Sequence, residues 1–528
     1  MLPFILSALA CYILLLRPLY DYYRHFTNAR RLNCQKPRTK ATRLPWGIDF
    51  VRRLAKASNQ DRLCEEVSSF FEEEQCNTFQ VWLPQRHKHF WTTEPRNVQA
   101  ILATQFSQFE LPPEREGVVK PMFGRGIFSA NGTYWEHSRA MMRPQFTRQQ
   151  IADLELEERH FQEMLLHIRP DKESGWIDSI DLRPLFFRLT IDSATEFFFG
   201  QSVGSQIEAL SDRPLKETHE NYGWRSLADH FDSGTRHLGT RARLGPLYWL
   251  HNPSDFRENS HQIRQFADYF VQEALKRTAM DDMLEKEEAG GGEEKDRKYV
   301  FLHELIKQTR DPIELRSQLL HMLLAGRDTT AGLLSWVFFL LARHPKVYQR
   351  LRATVIETFG QYDSPQDITF SRLKACTYLQ YVMQETLRLY PQVPVNGRTA
   401  TTDTCLPVGG GLNGTAPVYI KKGERVNYSV YGMQRRKDIW GPDADEYIPD
   451  RWASHRYGWE YLPFNGGPRI CLGQQFALTE AGYVITRLVQ MFDELVAVDP
   501  KEPVINQSTL TSTAKQVRVR LHKADQVC

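Results

Sequence analysis

Phe464-Asn465-Gly466-Gly467-Pro468-Arg469-Ile470-Cys471-Leu472-Gly473 is the stretch that decides how the rest of this 528-residue chain is read. Two glycines and a proline impose a tight, irregular backbone just before one cysteine. Leu472 to Leu478 then reads as the opening of a helix. A thiolate there feels the positive end of the helix dipole, which lowers its pKa. Turn N–H groups stand ready to bond the sulfur and tune the potential of a bound metal. Arg469 is placed to pair with a carboxylate. A buried cysteine beside a structural turn is the plainer alternative. Against it stands the complete phrase F-x-x-G-x-R-x-C-x-G.

The other cysteines, Cys11, Cys34, Cys64, Cys76, Cys376, Cys405 and Cys528, show no C-x-x-C spacing. Zinc and iron–sulfur clusters, which need several nearby thiolates, are not expected. The cysteine density is also too low for a disulfide scaffold, which points to a reducing compartment. Hydrophobic residues make up 41% of the chain, enough for a large core. A mean hydropathy of -0.49 argues against a polytopic membrane protein. Lys plus Arg number 67 against 64 Asp plus Glu, so no nucleic-acid partner is expected.

At the amino end, Leu2 to Leu16 is an apolar run broken only by Ser7. It is shorter than the roughly 20 residues that comfortably span a bilayer. Arg17 can snorkel and Tyr20, Tyr22 and Tyr23 can sit among headgroups, extending the span. Eight Lys or Arg against one acid between Arg17 and Arg43 predict that the following chain stays cytoplasmic. A cleaved signal peptide is the rival, but the A-x-A triplet Ala8 to Ala10 lies inside the run. We expect an anchor over residues 1–23 and a basic, proline-bearing hinge over 24–50. The sequons at Asn131, Asn413, Asn427 and Asn506 matter only for a translocated chain.

A helix that is apolar on nearly every side is expected from about Ile313 to Arg343, ended by His344-Pro345. Another should run from about Leu373 to Tyr390, stopped by Pro391. Strands are expected near Val418–Ile420, after a turn at Gly423 near Val426, and at Val517–Leu521. Asp281 to Lys298, charged and glycine-bearing, reads as a solvated loop. Helices should dominate, with small sheets concentrated in the last third.

The phrase around Cys471 is the signature of the cytochrome P-450 family, which the chain resembles. The resemblance implies a mainly α fold with small β-sheets and one catalytic domain, residues 51–528. It implies haem b, with the Cys471 thiolate as axial iron ligand and Phe464, Arg469 and Gly473 at the cofactor. Ala325-Gly326-Arg327-Asp328-Thr329-Thr330 matches the family's oxygen-activating motif. Ala325 and Gly326 would leave room for dioxygen, Thr329 would hydrogen-bond it, and Asp328 would relay protons. A buried acid and a helical glycine are otherwise costly, the glycine by about 1 kcal/mol. The plainer alternative is Thr329 bonding back to a carbonyl, and both can hold.

Glu385 and Arg388 share a helix face. With Arg451, in Pro449-Asp450-Arg451-Trp452, they match a buried ion-pair network that serves folding and cofactor loading. An exposed pair worth under ~1 kcal/mol is the alternative. Trp135 and Arg139, in W-x-x-x-R, and Arg398, in Pro394-Val395-Asn396-Gly397-Arg398, match contacts to haem propionates. Arginine suits that task because its planar fork grips a carboxylate bidentately.

Several stretches resemble the fungal alkane- and fatty-acid-hydroxylating subfamily. They are Tyr299–Leu302, Gln308–Pro312, Ala325–Trp336, Leu406–Gly411 and Gly473–Glu480. That subfamily has an aromatic before the propionate arginine. Here Gly397 would widen the pocket, leaving a polyketide or terpenoid intermediate as an alternative substrate. The implied reaction is monooxygenation of a lipophilic small molecule at the endoplasmic reticulum membrane. Electrons would come from a separate NADPH–cytochrome P450 reductase, docked on a basic surface near the cysteine loop. A thiolate-haem isomerase or peroxygenase would need neither NADPH nor Asp328–Thr329, and a haem sensor would consume no NADPH.

Overall fold

Asp311-Pro312 starts the helix around which the protein is built. The Asp311 carboxylate accepts from Ile313 N at 2.9 Å, and proline occupies the first turn, where its missing N–H costs nothing. The helix runs over Pro312–Leu341 and is buried along most of its length. It packs against the helices Leu182–Phe199, Ser254–Glu287, Thr377–Leu389 and Gln474–Met491. Trp336 stacks on Tyr390 with centroids 3.7 Å apart, and Phe338 packs on Phe186 at 5.3 Å. Two large apolar clusters flank this helix, one toward its carboxyl half and one toward its amino half.

The computed structural model describes residues 16–83, 88–147, 154–210, 227–287 and 300–525. The apolar run expected to anchor the chain therefore lies almost wholly outside the described residues. Among those described, no helix is long and apolar enough to cross a membrane. The basic stretch begins inside a helix, Arg17–Arg31, on which Tyr20, Tyr22 and Tyr23 are exposed. The segment after it is tied down, with Gln35 N bonded to Pro417 O at 2.8 Å and Pro37 bridged to Gly410.

Two expectations need correction. The first part of the charged stretch from Asp281 continues the helix Ser254–Glu287, and its remainder from 288 on lies outside the described residues. The helix expected from Leu373 is two, Phe370–Ala375 and Thr377–Leu389, because Cys376 between them adopts φ -71°, ψ 88°. Ten of the fifteen strands among the described residues lie in the last third, as expected, although the sheets also draw strands from earlier in the chain. The largest has six strands in the order Arg38–Thr39, Thr78–Trp82, Lys88–Thr92, Arg425–Ser429, Val395–Ala400, Phe109–Glu110. Four of those strands come from the first quarter of the chain. The strands flanking Gly423 do not pair with each other. Ala416–Ile420 joins Thr404–Gly410 in a separate hairpin, while Arg425–Ser429 enters the large sheet. Alternation marks a strand but not its partner.

Candidate active site

The cysteine loop is shaped by its own backbone. Cys471 N donates to Phe464 O and Ile470 N to Gly467 O, both at 3.0 Å. Asn465 takes a left-handed conformation, φ 62°, and its amide donates to Arg469 O at 3.2 Å. Gly467 is also left-handed, φ 67°, and a Cβ there would lie 1.9 Å from Leu102 O. Only glycine lets the loop sit so close to the turn Ala100–Thr104. Phe464 packs on the core, and Gly473 caps the helix Gln474–Met491.

Cys471 opens into a cavity of about 700 Å3 whose walls include Trp135, Arg139, Arg143, Phe146 and Ile470. That size falls within the roughly 300–1,000 Å3 of small-molecule sites. The expected lowering of the Cys471 pKa by the helix is not what the surroundings produce. Desolvation within the protein envelope pushes the thiol up, while the Gly473 N–H and Arg139 pull the other way. A free thiolate is thus costly here, and a bound cation would relieve the cost.

The structure gathers Trp135, Arg139, Arg469 and Cys471 into one place. Arg139 donates to Ile470 O at 3.0 Å, and the Arg469 guanidinium lies 4.2 Å over the Trp135 ring. Arg469 also bonds Ala130 O at 2.9 Å and Asn131 Oδ1 at 3.1 Å. Arg398, 3% exposed, bonds Asn396 Oδ1 and Gly397 O. A cation that sequence reasoning missed, Arg115, stands with them. Set in Glu114-Arg115-Glu116, it looks like a solvated surface residue. Burial, then the like charges of Arg398 and Arg115, push Arg469 down to about 9. Burial and Arg398 push Arg115 down to about 10. The nearby acid Glu114 is taken by Arg425 at 2.7 Å. None of the ion pairs among the described residues engages Arg115, Arg139, Arg398 or Arg469. Crowded cations without an acid beside a thiol fit a ligand that brings a metal and two carboxylates, as haem does.

In the long helix, Leu324–Gly326 and Thr329 are half-buried among otherwise buried residues. Thr329 Oγ1 donates to Ala325 O at 2.6 Å. The place of Gly326 differs from expectation. A Cβ there would meet Phe198 at 3.4 Å and Ala194 at 3.8 Å, so its small size faces the helix Leu182–Phe199. Asp328 is not unpaired. Arg327 donates to it at 2.9 Å and also pairs at 2.6 Å with Asp232, which is half exposed. The Arg327 guanidinium lies 5.0 Å from the Phe187 ring and 5.2 Å from the Phe231 ring. Burial raises Asp328 to about 6 against the pull of Arg327. The signal for Arg327 was in plain view, a base beside an acid within an apolar helix. Gly397 does not widen a pocket, since a Cβ there would stand 2.7 Å from Asn427 Oδ1. Glu480, on the helix after the cysteine, was also passed over. It accepts from Ser193 Oγ at 2.6 Å, and burial pushes it up to about 7.

Glu385 and Arg388 are both fully buried. Arg388 grips Glu385 through Nε at 2.9 Å and Nη2 at 2.8 Å. Arg451 Nε, Trp452 Nε1 and Ile448 N also donate to that carboxylate, at 2.9, 3.0 and 3.0 Å. The remaining Arg388 protons go to the carbonyls of Gln434, Ala444 and Glu446. The alternative of an exposed pair is thereby excluded.

A helical fold, a cysteine presented to a cation-ringed cavity and an acid–threonine pair in the central helix together define a haem-thiolate oxidoreductase. The family model for "Cytochrome P450" matches residues 50–521, and the chain belongs to that family. It is 47% identical to "Cytochrome P450 monooxygenase g430" of Fusarium sp, over 94% of this chain and 86% of that protein. It is 46% identical to "Cytochrome P450 52A13" of Debaryomyces hansenii, over 86% and 85%. Its fold matches the "Crystal structure of cytochrome P450DA heme domain" with a TM-score of 0.71, 19% identity and coverage of 93% and 98%. This protein is a monooxygenase whose cofactor is haem with an axial cysteine thiolate, served by a redox partner and acting on a lipophilic substrate.

Removing one partner from a buried ion pair costs roughly 3–5 kcal/mol. Glu385→Ala should therefore unfold at a much lower temperature and retain less haem per chain. Unchanged melting and haem content would show that the network does not hold the fold.

Proposed function

We propose that this protein hydroxylates long-chain fatty acids or alkanes at or near the chain end. The observation that carries the chemistry is Cys471 opening into a cavity walled by Arg139 and Arg143, with the Arg469 guanidinium stacked on the wall residue Trp135. Cys471 would hold the iron. Arg115, Arg398 and Arg469 would hold the propionates, with Trp135 and Arg139 at their edge and Phe464 and Gly473 shaping the loop beneath. When bound, the haem supplies an iron centre at which dioxygen is activated.

The chain's own groups manage protons. The half-buried Thr329 hydroxyl donates to Ala325 O and would be the donor offered to bound dioxygen. Asp328 changes charge near neutral pH, and Arg327 links it to the surface acid Asp232. Glu385, Arg388 and Arg451 support folding rather than chemistry.

The substrate class rests on the stretches shared with the fungal alkane- and fatty-acid-hydroxylating subfamily. The space at Gly397 is already occupied by Asn427, which removes the reason to prefer a bulkier substrate. Electrons would come from NADPH through NADPH–cytochrome P450 reductase, with Arg139 and Arg143 beside the loop suited to an acidic partner. Residues 1–23 would anchor the chain in the endoplasmic reticulum membrane, in contact with lipid. Residues 24–50 would join that anchor to a cytoplasmic catalytic domain, 51–528.

With reductase and NADPH, dodecanoic acid or hexadecane should yield terminal or near-terminal alcohols. No turnover of any aliphatic chain, with turnover of polyketide or terpenoid compounds, would refute the substrate class. Cys471→Ser should abolish the long-wavelength carbonyl band of the reduced, carbon-monoxide-bound protein, and its persistence would refute the ligand assignment. The Asp328 carboxyl holds its proton below about pH 6 and releases it above. Product formed per NADPH should accordingly decline as pH rises from 5 to 7.5. Asp328→Asn should flatten that profile, whereas an unchanged slope would exclude Asp328 as the titrating group.

A further inference from the structure

Two half-buried thiols, Cys34 and Cys405, are close enough to influence each other's ionisation although 371 positions separate them in the chain (405 minus 34). Cys34 follows the helix Arg17–Arg31, and Cys405 lies in the strand Thr404–Gly410. Their approach is held by backbone. Gln35 N donates to Pro417 O at 2.8 Å, Gly411 N to Lys36 O at 3.0 Å, and Pro37 bridges Gly410. Cys405 faces Tyr419 across the hairpin. Tyr419 in turn meets the amino-terminal helix, 3.1 Å from His25 Nδ1 and 3.5 Å from Asn28 Nδ2. His25 also lies 3.5 Å from Asp403. Side chains thus fasten this helix to the hairpin by a few partly exposed polar contacts, each of modest strength.

We propose that Cys34 and Cys405 form a reversible disulfide that latches the amino-terminal helix onto the β hairpin when the thiol pool becomes oxidised. The co-reactant is a low-molecular-weight disulfide such as oxidised glutathione. One protein thiolate attacks it, releasing one reduced glutathione and leaving a mixed disulfide. The second protein thiolate attacks the protein sulfur of that bond and releases the other glutathione. Two protein thiols are oxidised to one disulfide, one glutathione disulfide is reduced to two thiols, and protons balance.

Burial raises both thiols, Cys34 to about 12, while the neighbouring Cys34 thiol favours the Cys405 thiolate. Cys405 is therefore the better first attacker and Cys34 the resolving partner. The same elevation makes the pair slow to react, so it responds to sustained rather than brief oxidation. In a reducing compartment such a bond is transient, which suits a switch rather than a staple.

The test uses the full-length holoenzyme equilibrated in glutathione buffers of rising disulfide-to-thiol ratio. It is then alkylated, digested without reduction and mapped by mass spectrometry. A peptide joining Cys34 to Cys405 should grow with the ratio and vanish on dithiothreitol treatment. Amide exchange over residues Arg17–Arg31 should slow as it forms. Cys34→Ser should leave Cys405 as a stable glutathione adduct and lose the exchange effect, with an unchanged carbon-monoxide spectrum showing an intact fold. Should that variant not fold, Cys405→Ser takes its place, with Cys34 carrying the adduct. Separate adducts or free thiols on both cysteines of the natural sequence would overturn the proposal. A cross-link without slowed exchange would overturn the latch.

Discussion

Glu385 carries a carboxylate into a region that water does not reach, and five donors converge on it. An isolated charge there would be prohibitive. The donors come from its own helix and from residues 448–452, and Arg388 reaches further to carbonyls at 434, 444 and 446. One acid thus fixes the path of the chain that leads directly into the cysteine loop. Gln434 extends the tie, since its Oε1 accepts from Leu462 N two residues before Phe464. The placement of the sulfur follows from this arrangement as much as from the loop itself.

Charge is sorted differently on the two sides of the active site. Around Glu385 every charge has its complement. In the central helix Asp328, Arg327 and Asp232 form a chain from interior to surface, insulated by two phenylalanine rings. Near Cys471 the balance is left open, with burial and the nearby Arg398 charge lowering the basicity of Arg115 and Arg469. An imbalance of that kind costs stability unless a partner arrives. A ligand bearing two carboxylates would relieve that imbalance and so add to the stability of the fold.

The central helix, the ion-pair helix and the cysteine loop were legible because each carries a local signature. The signals are an unbroken apolar run, an i, i+3 acid–base pair and a glycine–proline turn. Arg115 was not legible, since the charges it lies near are about 280 and 350 positions away (398 minus 115, 469 minus 115). The mixed origin of the large sheet was hidden for the same reason. Gly326 and Gly397 show the opposite failure. A glycine declares that something comes close without saying what, and here the neighbours are Phe198 and Asn427 rather than a ligand. The direction of the Cys471 shift was misread because a helix end is only one influence, and desolvation outweighs it.

The contact between Gly467 and the carbonyl of Leu102 bears on how such a site can be moved or altered. The ten residues around the cysteine are not a portable cassette. Their shape is half of a joint whose other half is a turn more than 360 positions earlier (467 minus 102). Transplanting the segment into a foreign scaffold, or swapping it between distant relatives, would require carrying Ala100–Thr104 along with it. Recombination that splits the two halves would separate surfaces moulded to each other.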